Sequence, residues 1–218
     1  MAYNRYMYVY GNPTGYRDPD GHFAFALFAI GAAIFTVGAT TDDPTIAKIG
    51  MTVGGVMMGG ALGTAMSPLA AGATTGFITD YISTGGDMSS AIQSGAISAL
   101  SAGLANGIGH GLGADGEQIF ATNSMNQYLA HGVSQGFIAI LRGGKFEHGF
   151  ISGIIGKAGG EATDAMGFTG DTMSDRIGST TIVAVFGGMA SQATGGDFYE
   201  GAMRAAFVHL YNDLESEG

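Results

Sequence analysis

Between Ala91 and Gly111 every fourth residue is alanine or glycine: Ala91, Gly95, Ala99, Gly103, Gly107 and Gly111. Gly55, Gly59 and Gly63 repeat the spacing, as do Ser152, Gly156 and Gly160. On a helix, residues four apart lie one above another, so each series makes a stripe without protruding side chains. Two backbones can approach closely along such a stripe, with van der Waals and weak Cα–H···O contacts replacing interdigitated bulky side chains. Glycine costs about 0.8–1 kcal/mol per helical position relative to alanine. A chain that accepts this cost so often must bury its stripes. The spacing therefore predicts a mainly α fold of small-residue (Gly/Ala) packed helices.

Composition narrows the functional classes. There are 40 glycines in 218 residues and only 12% of residues are charged, against about 25% in ordinary soluble domains. The net charge is −10, with eight lysines and arginines in all. Nucleic acid is excluded as a direct partner, because neutralising phosphates needs clustered cations. The absence of cysteine removes disulfides, a thiol nucleophile and a zinc ribbon. His22, His110, His131, His148 and His209 form neither an HxxxH nor an HExxH pair, so neither metal nor cofactor is expected. No GxSxG elbow occurs, and Gly107, Gly109, Gly111 and Gly113 alternate without a dinucleotide fingerprint or a P-loop lysine. The expected catalytic set is empty.

Along the chain, Tyr6, Tyr8 and Tyr10 alternate as on one face of a β-strand. Asn12-Pro13 and Asp18-Pro19, with Gly15 and Gly21, then supply two turns. Phe23–Thr41 carries no charge, and its apolar run of about 17 residues falls just short of a bilayer span. Asp43 is the expected N-cap of the next helix, with Pro44 at its first position. Ile49–Thr79 is again uncharged, and Pro68 should divide it into two helices. Thr84-Gly85-Gly86-Asp87 reads as a break, followed by the uncharged stretch Met88–Gly109. Further helices are expected from near Asn123 to about 141, and over about 147–159, 176–192 and 198–213.

The second half carries an internal repeat. Gly143-Gly144-Lys145-Phe146-Glu147-His148-Gly149 matches Gly195-Gly196-Asp197-Phe198-Tyr199-Glu200-Gly201 at an offset of 52, each copy preceding an apolar small-residue helix. A weaker copy starts at Gly85-Gly86-Asp87-Met88. This reads as one loop–helix unit used two or three times, not a solenoid.

The string Tyr8, Tyr10, Asn12, Pro13, Asp18, Pro19 and Gly21 resembles the end of the core domain of Rhs/YD-repeat proteins, which reads roughly YxYxxNPxxxxDPxG. In that family a long β-shell encloses a variable C-terminal segment, commonly a toxin. The resemblance implies a processing junction at Asp18, Pro19, Gly21 and His22, with cleavage near His22-Phe23. The second carboxylate of the self-cleaving pair belongs to an earlier copy of the motif, so Asp18 counts as a remnant and not as a catalytic residue. The paired Gly-Gly loops and the AxxxxLxN pattern over Ala205–Asn212 also resemble the glycine-rich region that follows this junction in many bacterial Rhs proteins.

These observations divide the chain into the end of an Rhs core (1–22, a short strand and turns), a Gly/Ala-rich apolar helical region (23–113) and a helical region with the duplicated unit (114–218). The packing ladder is expected at Gly55, Gly59, Gly63, Gly95, Gly103, Gly107 and Gly111. The leading functional expectation is the C-terminal region of a secreted Rhs-type polymorphic toxin used in bacterial competition. It would be delivered within a larger Rhs protein, inserting into and depolarising a target membrane. The implied partners are the upstream Rhs shell, that membrane and an immunity protein. A second reading is a non-enzymatic packing module inside or beside the shell, and a third is an enzymatic toxin with an unfamiliar site.

Overall fold

Helix starts in this chain are set by short polar side chains that replace missing carbonyl partners. Asp43 accepts from the backbone N–H groups of Thr45 and Ile46, Ser67 from that of Ala70, and Pro44 and Pro68 occupy the first helical positions. Ser124 and Thr172 cap in the same way. The computed structural model describes residues 22–110, 119–121, 124–168 and 172–213. Among these residues are eight helices: α1 His22–Thr40, α2 Pro44–Gly63, α3 Pro68–Ser83, α4 Met88–His110, α5 Met125–Leu141, α6 Phe146–Ala165, α7 Met173–Ala193 and α8 Phe198–Asp213. The fold is mainly α. The expected strand at 6–10 and the junction residues Asp18, Pro19 and Gly21 lie outside the described residues, as does Gly111. His22 opens α1, with its side chain outside the description.

The helices pair as successive hairpins, α1–α2, α3–α4, α5–α6 and α7–α8. Three of the four turns share one device. Gly85, Gly143 and Gly195 have φ of +68°, +78° and +86°, the left-handed conformation that glycine adopts without a Cβ penalty. The next glycine in each turn donates its N–H at 2.8 Å to the carbonyl five residues back, at Tyr81, Ala139 and Ser191 respectively. The weak third copy of the repeat thus shares this turn bond, although its second glycine, Gly86, also has a positive φ of +106° and Met88 stands where the other two copies have phenylalanine. Inside two of these hairpins the repeat's aromatic lies over a glycine of the preceding helix, Phe146 on Gly136 and Phe198 on Gly188.

Helix α8 lies at the centre, packed by α2, α4, α6 and α7, and every residue from Gly201 to Tyr211 is buried. Met203, Phe207, Leu210 and Tyr211 form one core cluster with Ala71 and Ala102, and Ala202 and Ala206 form another with Val56 and Ala184. Helices from both halves of the sequence therefore share the same cores. Helix α6 runs six residues beyond the expected end at 159. Its Gly159 and Gly160 do not stop it, because they leave room for Val183 and His209, and Lys157 pairs with Glu161 at 3.6 Å across one turn.

Candidate functional site

Helix α1 is the most apolar helix and also the least covered. Only 17% of Phe23–Thr40 is buried, against 44% of α2, and both are long and apolar enough to cross a membrane by length and composition. Gly31, Phe35 and Gly38 form the buried line of α1, while Phe23, Phe25, Ile30 and Val37 are exposed. The contact with α2 is backbone on backbone. A methyl at Gly54 would stand 2.5 Å from Phe35 N and 2.6 Å from Gly31 O, and one at Gly50 would stand 2.8 Å from Gly38 Cα.

Helix α2 carries a second glycine stripe turned the other way. Gly55 faces Met203 and Gly59 faces Leu210, Tyr211 and Thr75. This part of the expected ladder thus packs on α8 and α3, with Gly63 half-buried beyond it. In α4 the strict four-residue series leaves the interface. Ala91 and Gly95 are buried, but Gly103 and Gly107 are only partly so. The buried line instead runs through Ala91, Gly95, Ser98, Ala102, Ala105 and Gly109. Steps of four advance about 40° beyond a full turn each time, whereas alternating fours and threes hold one face.

A second apolar surface lies on α4 and α5. Met125, Leu129, Val133, Phe137 and Leu141 form an exposed stripe on α5, and Met88, Ile92 and Leu100 of α4 are exposed as well. Between the helices is an open groove of about 520 Å³, lined by Leu104, Ile108, Phe120, Leu129, Val133 and Phe137 among others. The sequence reading missed this surface. Its signal is the four-residue spacing of large apolar residues from Met125 to Leu141.

Polar side chains gather at two places. Glu200 accepts from Arg142 through Oε1 and from Arg204 through Oε2, both at 3.0 Å. Arg142 also donates to Ser98 Oγ at 2.6 Å. Burial lowers the pKa of Arg204, and the adjoining Glu200 carboxylate opposes that shift. This cluster joins α4, the end of α5 and the start of α8, with one carboxylate shared between two guanidiniums. At the other place, Lys157 and Glu161 of α6 meet Tyr128 and His131 of α5. Burial, reinforced by Lys157 and His110, pulls the His131 pKa down to about 3. Burial and the Glu161 carboxylate push the Tyr128 pKa up to about 12. Elsewhere, His209 sits in α8 with Nε2 2.9 Å from Ser179 Oγ, and that hydroxyl donates to the Arg176 carbonyl. His148 Nε2 donates to the Thr194 carbonyl at 3.1 Å. Both histidines are buried packing groups that cross-link helices. Among the described residues no group of three His, Cys, Asp or Glu is placed to hold a metal ion.

Comparison with protein-family models, with curated proteins and with solved structures gives no match.

Proposed function

We propose that this chain is the C-terminal region of an Rhs-type effector and that it acts on the membrane of a target cell, with α1 as the element that enters lipid. One observation carries the reading: the most apolar helix is uncharged and lies at the surface, with 17% of Phe23–Thr40 buried. A helix of this length rises roughly 28 Å, close to the ~30 Å hydrocarbon core of a bilayer. Exposed Phe25, Ile30 and Val37 are the residue types that gain most on entering it. The Asp42-Asp43 turn and Lys48 lie at one end of the α1–α2 hairpin, so the acyl-chain region would receive no charge from α1.

A second reading, a non-enzymatic packing module carried in the Rhs shell, is favoured by the uncharged stripes of α4 and α5. Those faces suit contact with another protein wall.

Vesicle co-sedimentation of the full chain, together with expression in the bacterial cytoplasm and periplasm, separates the two. The membrane reading expects sedimentation with vesicles, dye release, and loss of membrane potential before any degradation of nucleic acid or protein. A chain that ignores vesicles and permits full growth from both compartments leaves only the packing module.

A further inference from the structure

Gly59 stands where α2, α3 and α8 meet, and two buried hydroxyls converge on it. A methyl at this position would lie 3.7 Å from Thr75 Oγ1, 3.8 Å from Tyr211 OH and 3.4 Å from Leu210 Cδ2. Tyr211 and Thr75 are wholly buried, and neither hydroxyl has a hydrogen-bond partner among the described residues. Buried hydroxyls rarely stay unsatisfied, since each has given up its hydrogen bonds to water on folding. Burial also raises the Tyr211 pKa, so the phenol keeps its proton and can donate. The two groups come from different helices and point into the room left by an absent side chain.

We infer that the space beside Gly59 is a binding site for one ordered water molecule, hydrogen-bonded to Tyr211 OH and Thr75 Oγ1 and tying α2, α3 and α8 together. Water fits the chemistry better than any larger ligand. Each hydroxyl needs one small partner that both donates and accepts, and the third neighbour is the apolar end of Leu210. The site also accounts for glycine at position 59. Alanine is the better helix former, but its methyl would take the room that the water needs. At neighbouring Gly60 a methyl would meet only Ile177 and Leu210, at 3.7 and 4.0 Å, and no hydroxyl is involved. The Gly55–Gly59 stripe is then committed to the protein body, which leaves α1 as the helix of the first hairpin with a free face.

A double-mutant cycle on the full chain tests this, with Tyr211→Phe, Thr75→Val and the pair measured by chemical unfolding. A shared water predicts that each single variant raises the unfolding equilibrium constant roughly five- to tenfold. The double variant should fall short of the product by roughly threefold or more, because the second change removes a water already lost. Gly59→Ala should destabilise the native chain yet stabilise the double variant. A crystal structure resolving solvent should show a water within about 2.6–3.2 Å of both oxygens. Singles that leave stability unchanged or raise it, additive singles, Gly59→Ala acting equally in both backgrounds, or a direct Tyr211–Thr75 hydrogen bond in the crystal would each overturn the site.

Discussion

Arg142 donates from Nη1 to Glu200 Oε1 at 3.0 Å, tying the end of α5 to the first turn of α8. Moving each residue of this pair to its counterpart in the 52-residue duplication gives Thr194 and His148, and these two are also joined, through His148 Nε2 and the Thr194 carbonyl. The sixth residue of each repeat therefore reaches the residue before the first repeat glycine of the other. Helices α6 and α8 cross at duplicated positions as well, with Gly156 against Val208. Reciprocal contact between equivalent positions is the mark of a two-fold relation. Here it operates within one chain, local to these loops and this crossing. Duplication thus supplied the interface along with the hairpins.

The shared carboxylate of Glu200 should be costlier to lose than one partner of a simple one-turn ion pair. Glu200 is 31% exposed and serves two arginines, of which Arg204 is 6% exposed. Glu200→Gln leaves the Arg204 guanidinium buried beside a neutral amide. Losing one partner of a fully buried pair costs about 3–5 kcal/mol, and partial solvent access at Glu200 should reduce this to about 2 kcal/mol. Lys157→Met, which removes a pair 3.6 Å apart with a 35% exposed Glu161, should cost less. Urea unfolding of the two variants gives the order, and equal losses would show that Glu200 is not a junction.

Two glycines of the α4 ladder should behave oppositely when changed to alanine. At Gly95 the new methyl would stand 3.0 Å from the Ala73 carbonyl oxygen, which belongs to backbone and cannot move aside. At Gly103 it would meet only Leu69 Cδ1 at 3.5 Å. Gly103→Ala should therefore stabilise by up to about 1 kcal/mol through helix propensity and a stiffer unfolded chain. Gly95→Ala should destabilise by about 1–3 kcal/mol through overpacking. Thermal melts of the two variants decide the matter, and a stabilised Gly95→Ala would mean that α3 and α4 are less tightly joined.

Those two glycines also show what the sequence could and could not reveal. Helix boundaries were legible because they are written in local chemistry: Asp43-Pro44, Pro68 and the Gly-Gly turns act on their own backbone. Ser124, which caps α5 one residue beyond Asn123, shows the grain of that reading. Which face of a helix is buried depends on the neighbour, so a four-residue ladder could be seen in α4 without showing that it drifts off the interface by Gly103. The central position of α8 was least legible. Its sequence contains Arg204 and His209: Arg204 pairs with Glu200 one turn earlier in the same helix, but the contacts from Arg142 to Glu200 and from His209 to Ser179 come from other helices and are not written in the local sequence. The exposure of α1 likewise runs against its composition, since hydropathy alone would place it inside.

Acid should weaken the fold through His131. Its pKa is about 3 in the folded protein, against an ordinary value of 6.5. A depressed histidine pKa gives stability that is fully present above pH 6.5 and is lost as pH falls towards 3, because the unfolded chain takes up the proton first. At pH 5 the loss from this one group is about 2 kcal/mol relative to neutral pH. His131→Gln should carry a lower stability at pH 7 and a visibly flatter decline between pH 7 and 5. Parallel pH profiles for the two proteins would place the acid sensitivity elsewhere.

The Gly-Gly turns should punish side chains at their first glycine. Gly195 has φ of +86°, and a Cβ there would meet no other atom within 4 Å, so any cost is conformational and not steric. Gly195→Ala should destabilise by about 1–2 kcal/mol, the penalty of the left-handed region for an L-residue. Gly195→Asn should lose less, because asparagine tolerates that region. Equal losses for the two variants would show that the turn changes its backbone to accommodate either residue.

The face of α1 allows water stability and membrane affinity to be separated. Ile30 lies near the middle of the helix and is 52% exposed, so Ile30→Lys should change stability in water by no more than about 0.5 kcal/mol. A lysine at the centre of a bilayer-spanning helix costs about 2.5–3.5 kcal/mol, which corresponds to a roughly hundredfold weaker association with vesicles. Val133→Lys on α5 is the matched control: it is also surface-exposed and apolar, but lies on a helix assigned no role in lipid. Weakened vesicle binding with Ile30→Lys alone would mark α1 as the inserting element, because the two substitutions add the same charge to the same protein. Equal weakening would mean that the whole apolar surface adheres to lipid. Unchanged binding of Ile30→Lys would rule out α1 as a spanning helix, since no rearrangement of the other helices removes the cost of that charge from the bilayer interior.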